Sequence, residues 1–214
     1  MHPEIAEWVN RTFYKEEDIG AVPLPHQEEK GLLYDESVGT DALGNLLRSS
    51  RTVFIDIVPE EGEADAKSNT AEARCVADIV QRIHRAVGDR WKGEKTLGVI
   101  VPYRNQIALV RRMIEQKMGK ATAAQVNIDT VERYQGSQRD VIIFSFTIAR
   151  RAQIEFLTAN SFTVRHPEAE PYVVDRKLNV AITRARRQLI LVGNRSLLDN
   201  VSLYKSVISA CKTL

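Results

Sequence analysis

Residues 97–118 read LGVIVPYRNQIALVRRMIEQKM, and this stretch decides the fold. Leu97 to Val101 is a short, continuously apolar run with branched side chains, the pattern of a strand buried on both faces. Pro102 stops the run, and Ile107, Val110, Ile114 and Met118 then recur at the spacing of one helix face. A doubly covered strand that passes directly into a helix is half of a parallel crossover unit.

The same alternation extends in both directions. Upstream, Thr52 to Val58 predicts a β-branched strand and Pro59 to Asp65 an acidic loop. A helix then follows with Val76, Ile79, Val80, Ile83 and Val87 on one side. Asn69, with Glu72 three residues later, predicts a reciprocal cap at the start of that helix. Downstream, Val126 to Thr130, Val141 to Thr147 and Leu189 to Val192 predict three more buried strands, and Leu197, Val201, Tyr204, Ile208 and Cys211 predict a closing helix. Pro3 suits the first turn of an opening helix that carries Ile5, Trp8, Val9 and Phe13. Residues 15–50 and 151–177 read as loop-rich insertions, the first with one short helix from Thr40 to Arg48. The expectation is one doubly wound α/β domain over residues 1–214, a three-layer arrangement of a mainly parallel sheet with helices on both faces. Ligands are expected at the carboxyl ends of its strands, in the loops after Val101, after Thr130 and around Arg184.

Composition narrows the class. Hydrophobic residues at 43% and charged residues at 27%, with 11 glycines and 7 prolines in 214 residues, exclude disordered and fibrous chains. The longest apolar stretch, Val141 to Ala149, is under half of a bilayer crossing, and the opening MHPEIAEWVN lacks a secretory pattern. A cytoplasmic protein is expected, with Cys75 and Cys211 as reduced thiols on apolar helix faces. His2, His26, His84 and His166 lack ligand spacing, so no metal bound by this chain alone is expected. The net charge is only +2, but it is unevenly spread. Residues 15–37 hold seven acids against two bases, whereas Arg176, Lys177, Arg184, Arg186 and Arg187 sit together with no acid between them. Such a segment suits either a solvated helix face or a surface for phosphates.

Three segments carry candidate chemistry. In Pro102-Tyr103-Arg104-Asn105-Gln106, free helix-start N–H groups with Asn and Gln can hold a phosphate or a backbone oxygen, and the same residues suit an ordinary turn and cap. Tyr103 can stack a base or fill the core. Asp129 to Asp140 is a polar loop between two apolar strands, with Gly136 allowing close backbone approach. Leu178 to Arg187 is an apolar helical stretch that ends in three arginines, some of which a helix end would attract in any case.

In this order the three segments resemble the later motifs of superfamily 1 helicases, in the group that contains the nonsense-mediated-decay helicase. Val99-Ile100-Val101-Pro102-Tyr103 with Gln106 resembles the fourth motif, Thr130-Val131-Glu132-Arg133-Tyr134-Gln135-Gly136 followed by Asp140 the fifth, and Leu178-Asn179-Val180-Ala181-Ile182-Thr183-Arg184-Ala185 the sixth. Met1-His2-Pro3-Glu4-Ile5 is similar to the tail of a signature that reads Gln-Tyr-Arg ahead of Met-His-Pro. The resemblance implies the second, C-terminal RecA-like domain of a P-loop NTPase-type helicase. No Gly-x-x-x-x-Gly-Lys-Ser/Thr occurs, which implies that ATP and Mg2+ are held mainly by an N-terminal RecA-like domain of the same protein. It further implies Arg184 as the arginine finger, Gln135 and Gly136 near the phosphates, and residue 138 at the ribose. There the family usually has Glu, and this chain has Gln138. Thr130 and Asn105 are the candidates for contacting the backbone of single-stranded DNA or RNA, Asn105 serving equally as a simple cap. The stretch between Arg150 and Leu178 reads as surface elaboration or as a loop that touches nucleic acid or a partner. An alternative class is a binding module that keeps the fold without the motor.

Overall fold

The computed structural model describes residues 1–14, 27, 30–134, 136–159, 161–166 and 169–214. Helix α1 (Pro3–Phe13) and helix α2 (Ala42–Ser49) precede strand β1 (Thr52–Asp56). Helix α3 (Thr70–Val87), strand β2 (Leu97–Ile100), helices α4 (Arg104–Met118) and α5 (Lys120–Ala123), and strands β3 (Asn127–Asp129) and β4 (Arg139–Ser145) follow. Then come helix α6 (Arg151–Thr158), strands β5 (Ser161–His166) and β6 (Ala169–Asp175), helix α7 (Arg176–Ile182) and strand β7 (Ala185–Gly193). Helices α8 (Arg195–Leu198) and α9 (Ser202–Ser209) and strand β8 (Lys212–Thr213) close the chain.

The six-stranded sheet runs β3-β2-β4-β7-β1-β8 with every pairing parallel. Its continuously apolar strands divide their side chains by alternation. Phe54, Ile142, Phe144, Leu189 and Leu191 face α1, α7 and α9, while Val53, Ile55, Val99, Ile143, Ile190 and Val192 face α2, α3 and α4. Both faces are dry because each is roofed by helices whose apolar stripes match, as the 3.6-residue spacing in α3 and α4 predicts. No helix among the described residues is long and apolar enough to cross a membrane.

Three expectations are corrected. Residues 151–177 are not loop-rich: they form α6 and the antiparallel β5–β6 hairpin, and the alternation in Ser161-Phe162-Thr163-Val164 was the unread strand signal. The closing helix is two helices. The Asn200 amide donates to the carbonyls of Ser196 and Leu197 at 2.9 and 3.0 Å, taking acceptors that a continuing helix needs, and the chain turns before α9. Cys211 therefore lies beyond α9 rather than on a helix face, and it and Cys75 are half-buried free thiols, both pushed up to about 12 by burial. Within residues 15–50, α2 forms where a helix was expected, its start capped by the Asp41 carboxylate.

Candidate functional site

The parallel sheet has two edges, and the candidate residues divide between them. At the amino ends of β4 and β7, Arg139 is paired with Ala185, and the Arg139 N–H donates to the Arg184 carbonyl at 3.0 Å. This register brings the loop before β4 against the turn before β7. Gln138 is exposed there and accepts from Arg186 Nε at 3.3 Å. Gly136 has φ +77°, with open space where a side chain would project, so the backbone is bare at this point. Gln135 lies outside the described residues. The His2 N–H donates to the Arg186 carbonyl at 2.7 Å, which brings the start of the chain to the same edge.

Arg184 is half-buried and stands outside the apolar core. Its Nε donates to the Val180 carbonyl at 3.1 Å and its Nη2 to Thr183 Oγ1 at 3.0 Å, so the guanidinium rests on the last turn of α7, where the helix dipole favours a cation. Its Nη1 donors have no partner among the described residues, leaving one side of the fork for an anion. The expectation that the Arg184 loop joins the carboxyl-end loops is corrected by the register: Arg184, Gly136 and Gln138 occupy the opposite edge. Arg186 and Arg187 are likewise strand residues of β7 and not caps of α7, which ends at Ile182.

The loop that links the two edges is pinned by Tyr134. Its hydroxyl donates to the Asn127 carbonyl at 2.7 Å, the Arg139 guanidinium lies 5.4 Å from its ring centre, and its ring crosses β2 at Gly98. A Cβ at Gly98 would meet the Tyr134 hydroxyl at 2.6 Å, so only glycine lets the ring lie flat there.

Thr130 and Asn105 lie at the carboxyl edge, after β3 and after β2. The Thr130 N–H donates to Asp129 Oδ1 at 2.9 Å, and its side chain is partly open. Asn105 is exposed in the first turn of α4. Gln106 takes no ligand-facing part: it is buried, its Oε1 accepting from Asn69 N at 2.8 Å and its Nε2 donating to Asn69 O at 3.0 Å, which clamps the start of α4 to the start of α3. Tyr103 is core, 7% exposed. Nearby, Lys177 and Glu132 pair at 2.8 Å, and that hydrogen bond holds the Glu132 carboxyl down to about 2.

One buried group escaped the sequence reading. Asn69 Oδ1 caps the Glu72 N–H at 3.0 Å as expected, but the Glu72 carboxylate turns inward instead of completing the reciprocal cap. It accepts from Ser145 Oγ at 2.6 Å, from Thr147 N at 2.7 Å, from Ile148 N at 3.0 Å and from Asn69 Nδ2 at 3.1 Å. These bonds hold Thr147 at φ +56°, a left-handed conformation that a β-branched residue disfavours. Gln153 completes the clamp, donating to the Thr147 carbonyl at 3.2 Å. The Asn-x-x-Glu spacing was visible in the sequence, whereas the Ser145, Thr147 and Ile148 partners of its carboxylate come from 73 or more residues away.

Among the described residues no group of three or more His, Cys, Asp and Glu side chains comes together as a metal site. The two edges thus present, respectively, an exposed backbone with a forked cation and a row of polar helix and strand ends. The AAA domain family matches residues 1–196. The chain belongs to this family, within the superfamily 1 helicase group. This AAA domain is 35% identical over 113 residues to Helicase sen1 of Schizosaccharomyces pombe, covering 52% of this chain and 6% of that one. It is 26% identical over 217 aligned residues to an uncharacterized ATP-dependent helicase of Methanocaldococcus jannaschii, covering 100% of this chain and 28% of that one. It is also 27% identical over 203 residues to the DNA polymerase alpha-associated DNA helicase A of S. pombe, covering 91% of this chain and 26% of that one. The chain spans less than a third of the length of these relatives.

Proposed function

We propose that this AAA domain is the C-terminal motor domain of an ATP-dependent superfamily 1 helicase that moves on single-stranded DNA or RNA. It would close over ATP and Mg2+ held mainly by an N-terminal RecA-like domain of the same protein. The observation that carries the reading is the convergence of Gly136, Gln138, Arg184 and Arg186 on the amino edge of β4 and β7. Two sequence-distant segments meet there, and each brings a group suited to a nucleotide.

The roles follow from the chemistry of these groups. Arg184, held by α7 with its Nη1 donors unused, would stabilise charge that spreads onto the γ-phosphate; a finger of this kind is worth roughly 10³–10⁵ in rate. The bare backbone of Gly136, with the neighbouring Gln135, would approach phosphate oxygens. Gln138 would hydrogen-bond a ribose hydroxyl without adding charge. Thr130 and Asn105, at the opposite edge, would hold phosphates of the nucleic-acid strand, so that nucleotide and strand address one sheet from its two ends. The two unpaired thiols support a reducing, cytoplasmic setting.

The test is Arg184→Ala in the full-length protein. ATP turnover is expected to fall by roughly 10³-fold or more while nucleotide and single-strand affinities hold within about threefold. Normal turnover in the variant would reject Arg184 as the finger and favour a binding module that keeps the fold without the motor.

A further inference from the structure

Helix α6 was expected to be a loop, and it carries the most exposed aromatic side chain described. Its Ile154 and Leu157 are buried, but Phe156 is 50% exposed. That ring is stacked on Tyr103, with centroids 4.8 Å apart and planes 25° from parallel. Tyr103 is only 7% exposed, so a largely buried ring backs Phe156. Leaving half of a Phe in water forgoes about 1 kcal/mol of burial.

The surroundings indicate what would cover it. Phe156 forms one wall of a narrow crevice of about 30 Å³ whose other walls include Pro102, Val131, Glu132, Leu157 and Lys177. The crevice thus lies between the start of α4, where Asn105 sits, and the residues that follow Thr130. Arg104, Arg150 and Arg151 are exposed at the ends of the same two helices and make no ion pair among the described residues. A second exposed ring on this insertion, Phe162, at 39% exposure, carries the Arg176 guanidinium 4.4 Å from its centre. Exposed cations at the starts of α4 and α6, together with the stacked, exposed Phe156 ring, match a polyanion whose monomers each offer a flat ring.

We propose that Phe156, backed by Tyr103, is a base-stacking platform for single-stranded nucleic acid at the carboxyl edge of the sheet. This deepens the reading of Thr130 and Asn105 as backbone contacts and rests on it. Stacking tolerates any base, so the platform grips the strand without reading its sequence, and Arg104, Arg150 and Arg151 supply the phosphate attraction around it.

The experiment measures the affinity of the full-length protein for a fluorescein-labelled thymidine strand and for a matched strand of base-free sugars, at one salt concentration. Phe156→Leu keeps the side-chain volume and removes the π-face. It is expected to weaken binding of the thymidine strand roughly 5- to 100-fold and to leave the base-free strand unchanged. Phe156→Trp is expected to restore binding, with quenching of its indole emission by the strand. Equal weakening of both strands, or no weakening of either, would overturn the platform while leaving the backbone contacts standing. If the unmutated protein binds neither strand, the platform falls together with the nucleic-acid reading itself. If Phe156→Leu instead releases a co-purifying protein with strand binding intact, the surface is a protein interface and the proposal is overturned.

Discussion

At the residue scale, Glu72 shows how a capping residue becomes a structural centre. Its carboxylate gathers donors from Ser145, Thr147, Ile148 and Asn69, yet burial outweighs them and pushes it up to about 7 from an ordinary 4.5. Since the folded state holds this proton more tightly than the unfolded chain, the stabilisation is fully present below about pH 4.5 and is lost as pH rises through about 7. The urea midpoint is expected to fall between about pH 5 and about pH 8, by an amount equivalent to roughly 2–3 kcal/mol. In Glu72→Gln that drift should vanish, and a drift that persists in the variant would assign it to another group. Arg184 is the contrasting case. The motif pointed to this arginine, but only the structure shows its guanidinium resting on the Val180 carbonyl with one side of its fork unused.

At the element scale, α7 is the piece that delivers Arg184, and its start is fixed with care. Asp175 Oδ1 accepts from the N–H groups of Lys177 and Leu178 at 2.9 and 3.0 Å, and Asp175 Oδ2 accepts from the Tyr204 hydroxyl at 2.8 Å. The cap is thus tied to α9, and Tyr204, with its carboxylate partner and its burial, is held well above the usual phenol range. Tyr204→Phe removes a hydrogen bond to a buried carboxylate and is expected to destabilise the domain by about 1–3 kcal/mol, read as a lower thermal midpoint with the fold retained. An unchanged midpoint would show that the cap does not depend on α9. Most elements of this kind were legible from periodicity, because apolar spacing reports which side of a helix or strand faces a core. Asn200 could not be read this way: whether its side chain captures the Ser196 and Leu197 carbonyls depends on rotamers that spacing does not encode. The hairpin in 151–177 was legible but weak, since its strands alternate over only a few residues beside a charged run.

At the scale of the whole molecule, the sheet separates two sets of candidate residues. Gly136, Gln138 and Arg184 stand at the amino ends of β4 and β7, while Thr130, Asn105 and Phe156 stand at or beyond the carboxyl ends of β2 and β3, with the length of the strands between. Substitutions at the two edges should therefore separate. Thr130→Ala is expected to weaken single-strand affinity by roughly three- to tenfold, the worth of about one hydrogen bond, with turnover at saturating strand retained. Arg184→Ala should do the reverse. Loss of turnover in both variants would contradict the division, and a binding titration beside a steady-state ATP assay is sufficient to see it.

By itself the sequence determined the α/β class, the parallel character of the sheet, nearly every helix and strand of the layered core, and the ordered motifs that name Thr130, Gly136 and Arg184. Each of these rests on local periodicity or on residue types in fixed order, which the chain carries whether folded or not. Tertiary structure alone decided which end of the sheet each motif reaches, that Gln106 and Glu72 spend their polar groups inside the fold, and that Phe156 is left facing water on a tyrosine base. Those outcomes depend on strand register and on groups brought from distant segments, and a buried carboxylate acquires its partners only once the layers have closed around it.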